Sequence, residues 1–115
     1  LKDSSHLLSG HTLSSVYDLI NKKVDCLLLN CNTLAKSSQA IINLKTDWKE
    51  NWGIYPNLGE SEPEPDGTIQ QKIDNDLFST MISKFISQSP AIIGSCCGSS
   101  PKHTLMIKKI IDNIY

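Results

Sequence analysis

Four cysteines are the residues of this chain with the widest chemistry open to them, and two of them, Cys96 and Cys97, stand side by side in the stretch AIIGSCCGSSP. The others, Cys26 and Cys31, bracket a run of leucines in VDCLLLNC. Zinc suits three thiolates because it is borderline soft, bonds sulfur at about 2.3 Å and accepts tetrahedral geometry without electronic penalty; three protein ligands leave the fourth position open, as in catalytic rather than structural sites. Two other uses of an adjacent pair stand beside zinc: a pair of unrelated core thiols, or a strained, reversible disulfide acting as a redox switch. No Cys-x-x-Cys spacing decides between them. Neighbouring residues of a strand point to opposite faces, so joint ligation by Cys96 and Cys97 requires a backbone turn, which Gly94 and Gly98 allow.

The order of elements brings these thiols together. Thr12 is a candidate N-cap, and Leu13, Val16, Tyr17 and Ile20 follow one helix face. Residues 24–30 form a near-continuous apolar run, expected to be a strand buried on both faces of a parallel sheet. Thr33 caps a helix carrying Leu34, Ile41, Ile42 and Leu44 and ending near Trp48, and residues 52–57 read as a second strand stopped by Pro56. Residues 58–73 hold Glu60, Glu62, Glu64 and Asp66 among prolines and glycines without periodicity, and are expected to be a solvated loop, with closure over the active face as the alternative. Leu77, Phe78, Met81, Ile82, Phe85 and Ile86 make the clearest apolar helix stripe. A third strand, AIIGS, follows, and Ser100 and Pro101 open a last helix bearing Ile107, Ile110, Ile111 and Ile114.

Buried strands alternating with helices imply an α/β fold with a parallel sheet and right-handed crossovers, so all three strand ends lie on one rim. Cys31 follows the first strand and Cys96 and Cys97 the third, which places three sulfurs there. Cys26 lies roughly 16 Å from Cys31 at about 3.3 Å per strand residue, and reads as a small buried hydrophobe.

With 115 residues and a net charge of −1, the chain is one domain's worth of ordinary globular composition, with no electrostatic footprint for nucleic acid or anionic membrane. No apolar run is long enough to span a bilayer and no signal peptide opens the chain, so it is expected to be cytoplasmic.

Three segments resemble, in order, those of the zinc-dependent homocysteine S-methyltransferase family: LLLNC its strand ending in Asn-Cys, IYPNLGE its Tyr-Pro-Asn-x-Gly-Glu segment, and IIGSCCGSSPKH its Gly-Gly-Cys-Cys-Gly-Thr-x-Pro-x-His signature. The resemblance covers nearly the whole chain, HLLSGHTLSSVYDLI being similar to the connection and helix entering the sixth repeat. It implies that residues 1–115 are the C-terminal portion, about strands six to eight with their helices, of a homocysteine-binding (β/α)8 TIM-type barrel. By the same resemblance Cys31, Cys96 and Cys97 are the zinc thiolates, homocysteine sulfur fills the open position, and Asn30 and Asn57 shape the substrate pocket; turn and loop hydrogen bonding is the alternative role for both asparagines. No catalytic residue beyond the metal ligands is implied.

The implied reaction is methyl transfer to homocysteine from a sulfonium donor, S-methylmethionine or S-adenosylmethionine, giving methionine. A complete barrel needs about 250 residues, so the remainder of the barrel is an expected partner and the isolated piece is expected to be inactive. The alternative is a non-catalytic zinc-binding or redox-switch module using the same cysteines. Ser95 stands where the family usually has glycine, and Ser99 and Ser100 occupy its threonine region. His103, matching a family histidine, is read as structural or supporting; His6 and His11 as surface residues; Trp48 and Trp52 as packing groups.

Overall fold

The computed structural model describes residues 1–115, and its elements follow in the order α1 Leu13–Ile20, β1 Leu27–Asn30, α2 Leu34–Asp47, β2 Trp52–Tyr55, α3 Asn75–Ile86, β3 Ile92–Ile93 and α4 Pro101–Ile114. Each helix starts where a short polar side chain can satisfy its free N–H groups. Thr12 accepts from the Ser15 N–H, Thr33 from Lys36 and Asp74 from Leu77, while Ser100 opens α4 in a capping box with His103.

The three strands are parallel and lie in the order β1-β2-β3, with Leu28 opposite Gly53 and Gly53 opposite Ile92. Sequential order with right-handed crossovers keeps every connecting helix on one face of the sheet. A doubly wound sheet would reverse its order and put helices on both faces. The arrangement is an α/β layer pair of the kind that makes up part of a (β/α)8 barrel, and its extents of 37 × 36 × 19 Å are those of a curved slab.

The core sits between sheet and helices. Leu29 and Ile54 point into it from β1 and β2, and meet Leu44, Phe78, Ile82 and Phe85, all of them nearly or wholly buried. Burying each such side chain stabilises the fold by about 1.5–3 kcal/mol. Trp48 and Trp52 also belong to this cluster, as expected; Trp48 packs 5.7 Å from the Tyr17 ring and its indole N–H donates to the Asn51 carbonyl.

Several expectations need correction. β1 starts at Leu27 rather than residue 24 and is not buried on both faces: Leu28 and Asn30 are exposed, as is Ile92 of β3. These residues share the face opposite the helices, which no element covers. Gly53 occupies its middle because a Cβ there would come within 2.7 Å of the Ile92 carbonyl oxygen and collide with Leu28. β3 is only two residues long, and Cys26 lies outside β1 and is only half-buried. Ile42 is exposed, because the buried face of α2 runs through Ser37, Ala40, Ile41 and Leu44.

The acidic segment 58–73 is ordered as a hairpin-like excursion. Gly59 bridges Lys72 in antiparallel fashion, Glu60 N–H donates to Gln71 and Glu64 N–H to Thr68. Leu58, Ile69 and Ile73 are buried and anchor it. No helix of the structure is long and apolar enough to cross a membrane.

Candidate metal centre

Because β1 and β3 run parallel, their C-terminal ends reach the same rim, and the three thiols meet there. The Cys31 and Cys97 sulfurs are 3.3 Å apart, those of Cys96 and Cys97 4.0 Å, and all three lie within 4.8 Å of one another. Sulfurs bound tetrahedrally to one zinc at about 2.3 Å sit about 3.8 Å apart, so donor type, number and spacing all fit that ion. All four cysteines are free thiols, and Cys26 stands apart from the cluster.

The chain just past β2 lies between the two arms of the cluster and bonds to both. On one side, Cys31 N–H donates to the Tyr55 carbonyl at 3.0 Å, the Cys31 carbonyl accepts from Asn57 Nδ2 at 3.2 Å, and Asn57 N–H donates to the Asn32 carbonyl. On the other side, Cys96 N–H donates to the Pro56 carbonyl at 2.8 Å and Leu58 N–H to the Cys97 carbonyl at 2.9 Å. Tyr55-Pro56-Asn57-Leu58 thus acts as a central splint.

The turn that lets adjacent cysteines face one centre is built at Gly98, whose φ of +81° is costly for any residue with a Cβ. The Ser99 N–H and hydroxyl both donate to the Cys96 carbonyl, closing that turn. Gly94 stays outside the left-handed region, whereas Cys31 itself lies in it, with φ +50°.

The three thiols act on one another's acidity. Burial works against ionising Cys31, but hydrogen bonds from the Cys96 thiol, the Cys97 N–H and thiol, and the Asn57 amide outweigh it and bring its pKa below the ordinary thiol value. Cys96 moves the other way, to about 12, through burial and its interaction with Cys31. Cys97 is also raised, chiefly by its hydrogen bond to Cys31 and then by burial. Of the three thiols, Cys31 is thus the one whose environment favours the thiolate. A metal ion bound among the sulfurs would deprotonate the coordinating thiols outright.

The remaining candidates divide clearly. Asn30 is exposed on the rim, its Oδ1 3.8 Å from Cys96 Sγ. Asn57 is wholly buried, and its amide is engaged by the Cys31 carbonyl and the Gly59 N–H, so whatever it gives the pocket it gives by fixing backbone. His103 does not reach the sulfurs: its Nδ1 accepts from Ser100 N–H at 3.0 Å and its ring meets Phe78 edge-on at 5.0 Å. His6 pairs with Asp3 and His11 with Ser9 at the surface.

The segment 58–73 is the part of the site that periodicity missed. Its tip, Glu64-Pro65-Asp66-Gly67, is a tight turn in which Gly67 N–H donates to the Glu64 carbonyl, and Gly67 stands beside Cys97, a Cβ there falling 3.9 Å from the sulfur. The turn signal was present in the sequence, as Pro, Asp and Gly in the favoured order.

Comparison with known proteins adds three findings. The family model for homocysteine S-methyltransferase matches residues 1–111. Homocysteine S-methyltransferase 1 of Saccharomyces cerevisiae is 30% identical over 122 residues, an overlap of 96% of this chain and 37% of the yeast protein. Crystal structures of the homocysteine methyltransferase MmuM from Escherichia coli, in oxidized and metallated forms, superpose with a TM-score of 0.72 at 23% and 22% identity, covering 95% of this chain and 33% of theirs. The chain spans about a third of the length of these relatives. It belongs to the homocysteine S-methyltransferase family.

Proposed function

We propose that residues 1–115 are the C-terminal portion of a (β/α)8 domain that transfers a methyl group to the thiol of homocysteine, with Cys31, Cys96 and Cys97 as zinc ligands. The observation that carries this reading is the convergence of three sulfurs within 4.8 Å of one another on the C-terminal rim of a parallel sheet, the rim where barrel enzymes hold their chemistry. With three protein donors, a fourth tetrahedral position is left for the substrate sulfur.

When bound, zinc supplies a charge that keeps the substrate thiol ionised at neutral pH. The chain's own part is to hold three sulfurs on one side of the incoming thiol, so that its free lone pair faces away from the protein ligands. On binding, homocysteine loses its thiol proton to solvent. Its sulfur then attacks the methyl carbon of a sulfonium donor, S-methylmethionine or S-adenosylmethionine; the new S–CH3 bond forms as the donor's C–S bond breaks, and that electron pair neutralises the donor sulfur. The products are methionine and a neutral thioether. Asn30, exposed beside Cys96, is the rim residue placed to meet the substrate's polar groups, whereas Asn57 acts through the backbone.

The sheet face bearing Leu28, Gly53 and Ile92 is the side a closed barrel would turn inward. The remaining strands of the domain would cover it, pair with the open edges of β1 and β3 and supply the donor pocket. The chain by itself is therefore expected to bind zinc without turning over, and ordinary methyl-transfer turnover by these 115 residues alone would contradict that. A cytoplasmic setting suits a cluster of free thiols.

The 3.3 Å approach of Cys31 and Cys97 also suits a second reading, a reversible disulfide in a redox module. Zinc per chain, measured by elemental analysis under reducing conditions beside Cys97→Ser, separates the two. About one zinc in the parent and a large loss in the variant support the methyltransferase site; a zinc-free, folded parent whose thiols oxidise reversibly supports the module.

A further inference from the structure

Cys31 is the one proposed ligand held in a conformation that side chains avoid, at φ +50°. Two other non-glycine residues share the left-handed region, Lys22 and Ser89, and both lie in turns after helices, where that conformation commonly ends a helix. Cys31 instead follows a strand, so something must hold it. Its N–H is bonded to the Tyr55 carbonyl, which fixes the strand side, and its carbonyl accepts from the side chain of Asn57.

Asn57 is well suited to that task. It is fully buried, its Oδ1 accepts from Gly59 N–H at 2.9 Å, and its own N–H donates to the Asn32 carbonyl at 3.0 Å. These two bonds fix the residue's backbone and the direction of its side-chain amide, and Nδ2 is the donor left to meet Cys31. So constrained, Asn57 is a rigid bracket on the carbonyls of two consecutive residues, Cys31 and Asn32.

We infer that Asn57 is a positioning residue: its side-chain amide locks Cys31 in the left-handed turn, so that the three sulfurs are gathered before metal arrives. This rests on the metal-binding reading of the cysteine cluster. Partners that orient a metal ligand typically change metal affinity 10–100-fold when removed. A residue that only stabilised the fold would leave the affinity of the folded molecules unchanged.

The test is zinc affinity by chelator competition, together with the thiolate charge-transfer and d–d bands of the Co2+-loaded chain, for the parent, Asn57→Ala and Ile82→Val. Ile82 is fully buried in the core, so its variant reports loss of stability without contact with the cluster. The expected result is a 10–100-fold weaker zinc affinity and altered Co2+ bands for Asn57→Ala, with Ile82→Val matching the parent. Equal affinity and unchanged bands in Asn57→Ala, or a loss no greater than that of Ile82→Val, overturns the positioning role and leaves the metal site standing. A parent that binds neither ion overturns both. Should Asn57→Ala fail to fold, hydrogen exchange of the Asn57 side-chain amide in the parent decides: protection with and without zinc supports a preset bracket, and protection only with zinc contradicts it.

Discussion

The two arms of the cysteine cluster are built by different means. The Cys31 arm is a single residue at the end of a four-residue strand, forced into a left-handed turn and held there by the buried side chain of Asn57. The arm carrying Cys96 and Cys97 leaves a strand of only two residues and gets its shape from Gly98, the Ser99 bonds to the Cys96 carbonyl and the capped start of α4. One arm therefore depends on a tertiary side-chain contact, the other on local backbone chemistry. Both lean on the same splint, residues 55–58, which is why two segments 66 residues apart in sequence arrive in register.

Replacing a ligand should have the largest effect and should not distinguish the arms. Cys31→Ser and Cys97→Ser are each expected to weaken zinc binding by more than about 100-fold, beyond the range for supporting residues, while Cys26→Ser leaves it unchanged; chelator competition reads all three. A variant that kept parental affinity would remove its arm from the site.

Altering the second arm's backbone should come next. Gly98→Ala puts a Cβ at φ +81° and 3.0 Å from Ile69 Cγ1, with an expected cost of about 1–2 kcal/mol from the left-handed conformation. Gly94→Ala, which meets only Tyr55 Cβ at 3.4 Å, should cost clearly less. Urea midpoints measure both, and a reversed order would show that the turn is not made at Gly98.

The smallest effect belongs to pH. His103 must be neutral at Nδ1 to accept from Ser100 N–H, and burial first, then Lys102 and Lys72, lower its pKa from 6.5. Protons therefore bind the unfolded chain more readily. Stability should be level above pH 6.5, fall as pH drops through the lowered folded value, and level again below it. His103→Gln retains a capping acceptor that does not titrate and should flatten this part of the profile in thermal melts; an unchanged profile would assign the dependence elsewhere.

Much of this was legible in the sequence because it is local or periodic. Thr12, Thr33 and Ser100 mark their helices as caps, the stripe from Leu77 to Ile86 marks α3, and strand–helix alternation is enough to bring Cys31 to Cys96 and Cys97. What stayed hidden depends on partners distant in the chain. VDCLLLN reads as a doubly buried strand, yet Leu28 faces outward because the helices of this chain pack on the other face of the sheet. The hairpin at 58–73 looks solvated because its anchors, Leu58, Ile69 and Ile73, have no common period, and Leu58 and Ile69 pack beside Gly98 from a distant part of the chain. Asn57 carries no sequence sign that its amide will meet a cysteine carbonyl 26 residues away.

The most direct test of the three-thiolate site is zinc K-edge X-ray absorption of the zinc-loaded chain before and after homocysteine is added. The expected result is three sulfurs at about 2.3 Å, rising to four with homocysteine while the lighter-atom contribution falls. A sulfur count already at four, or one that homocysteine leaves unchanged, would contradict an open site made by Cys31, Cys96 and Cys97.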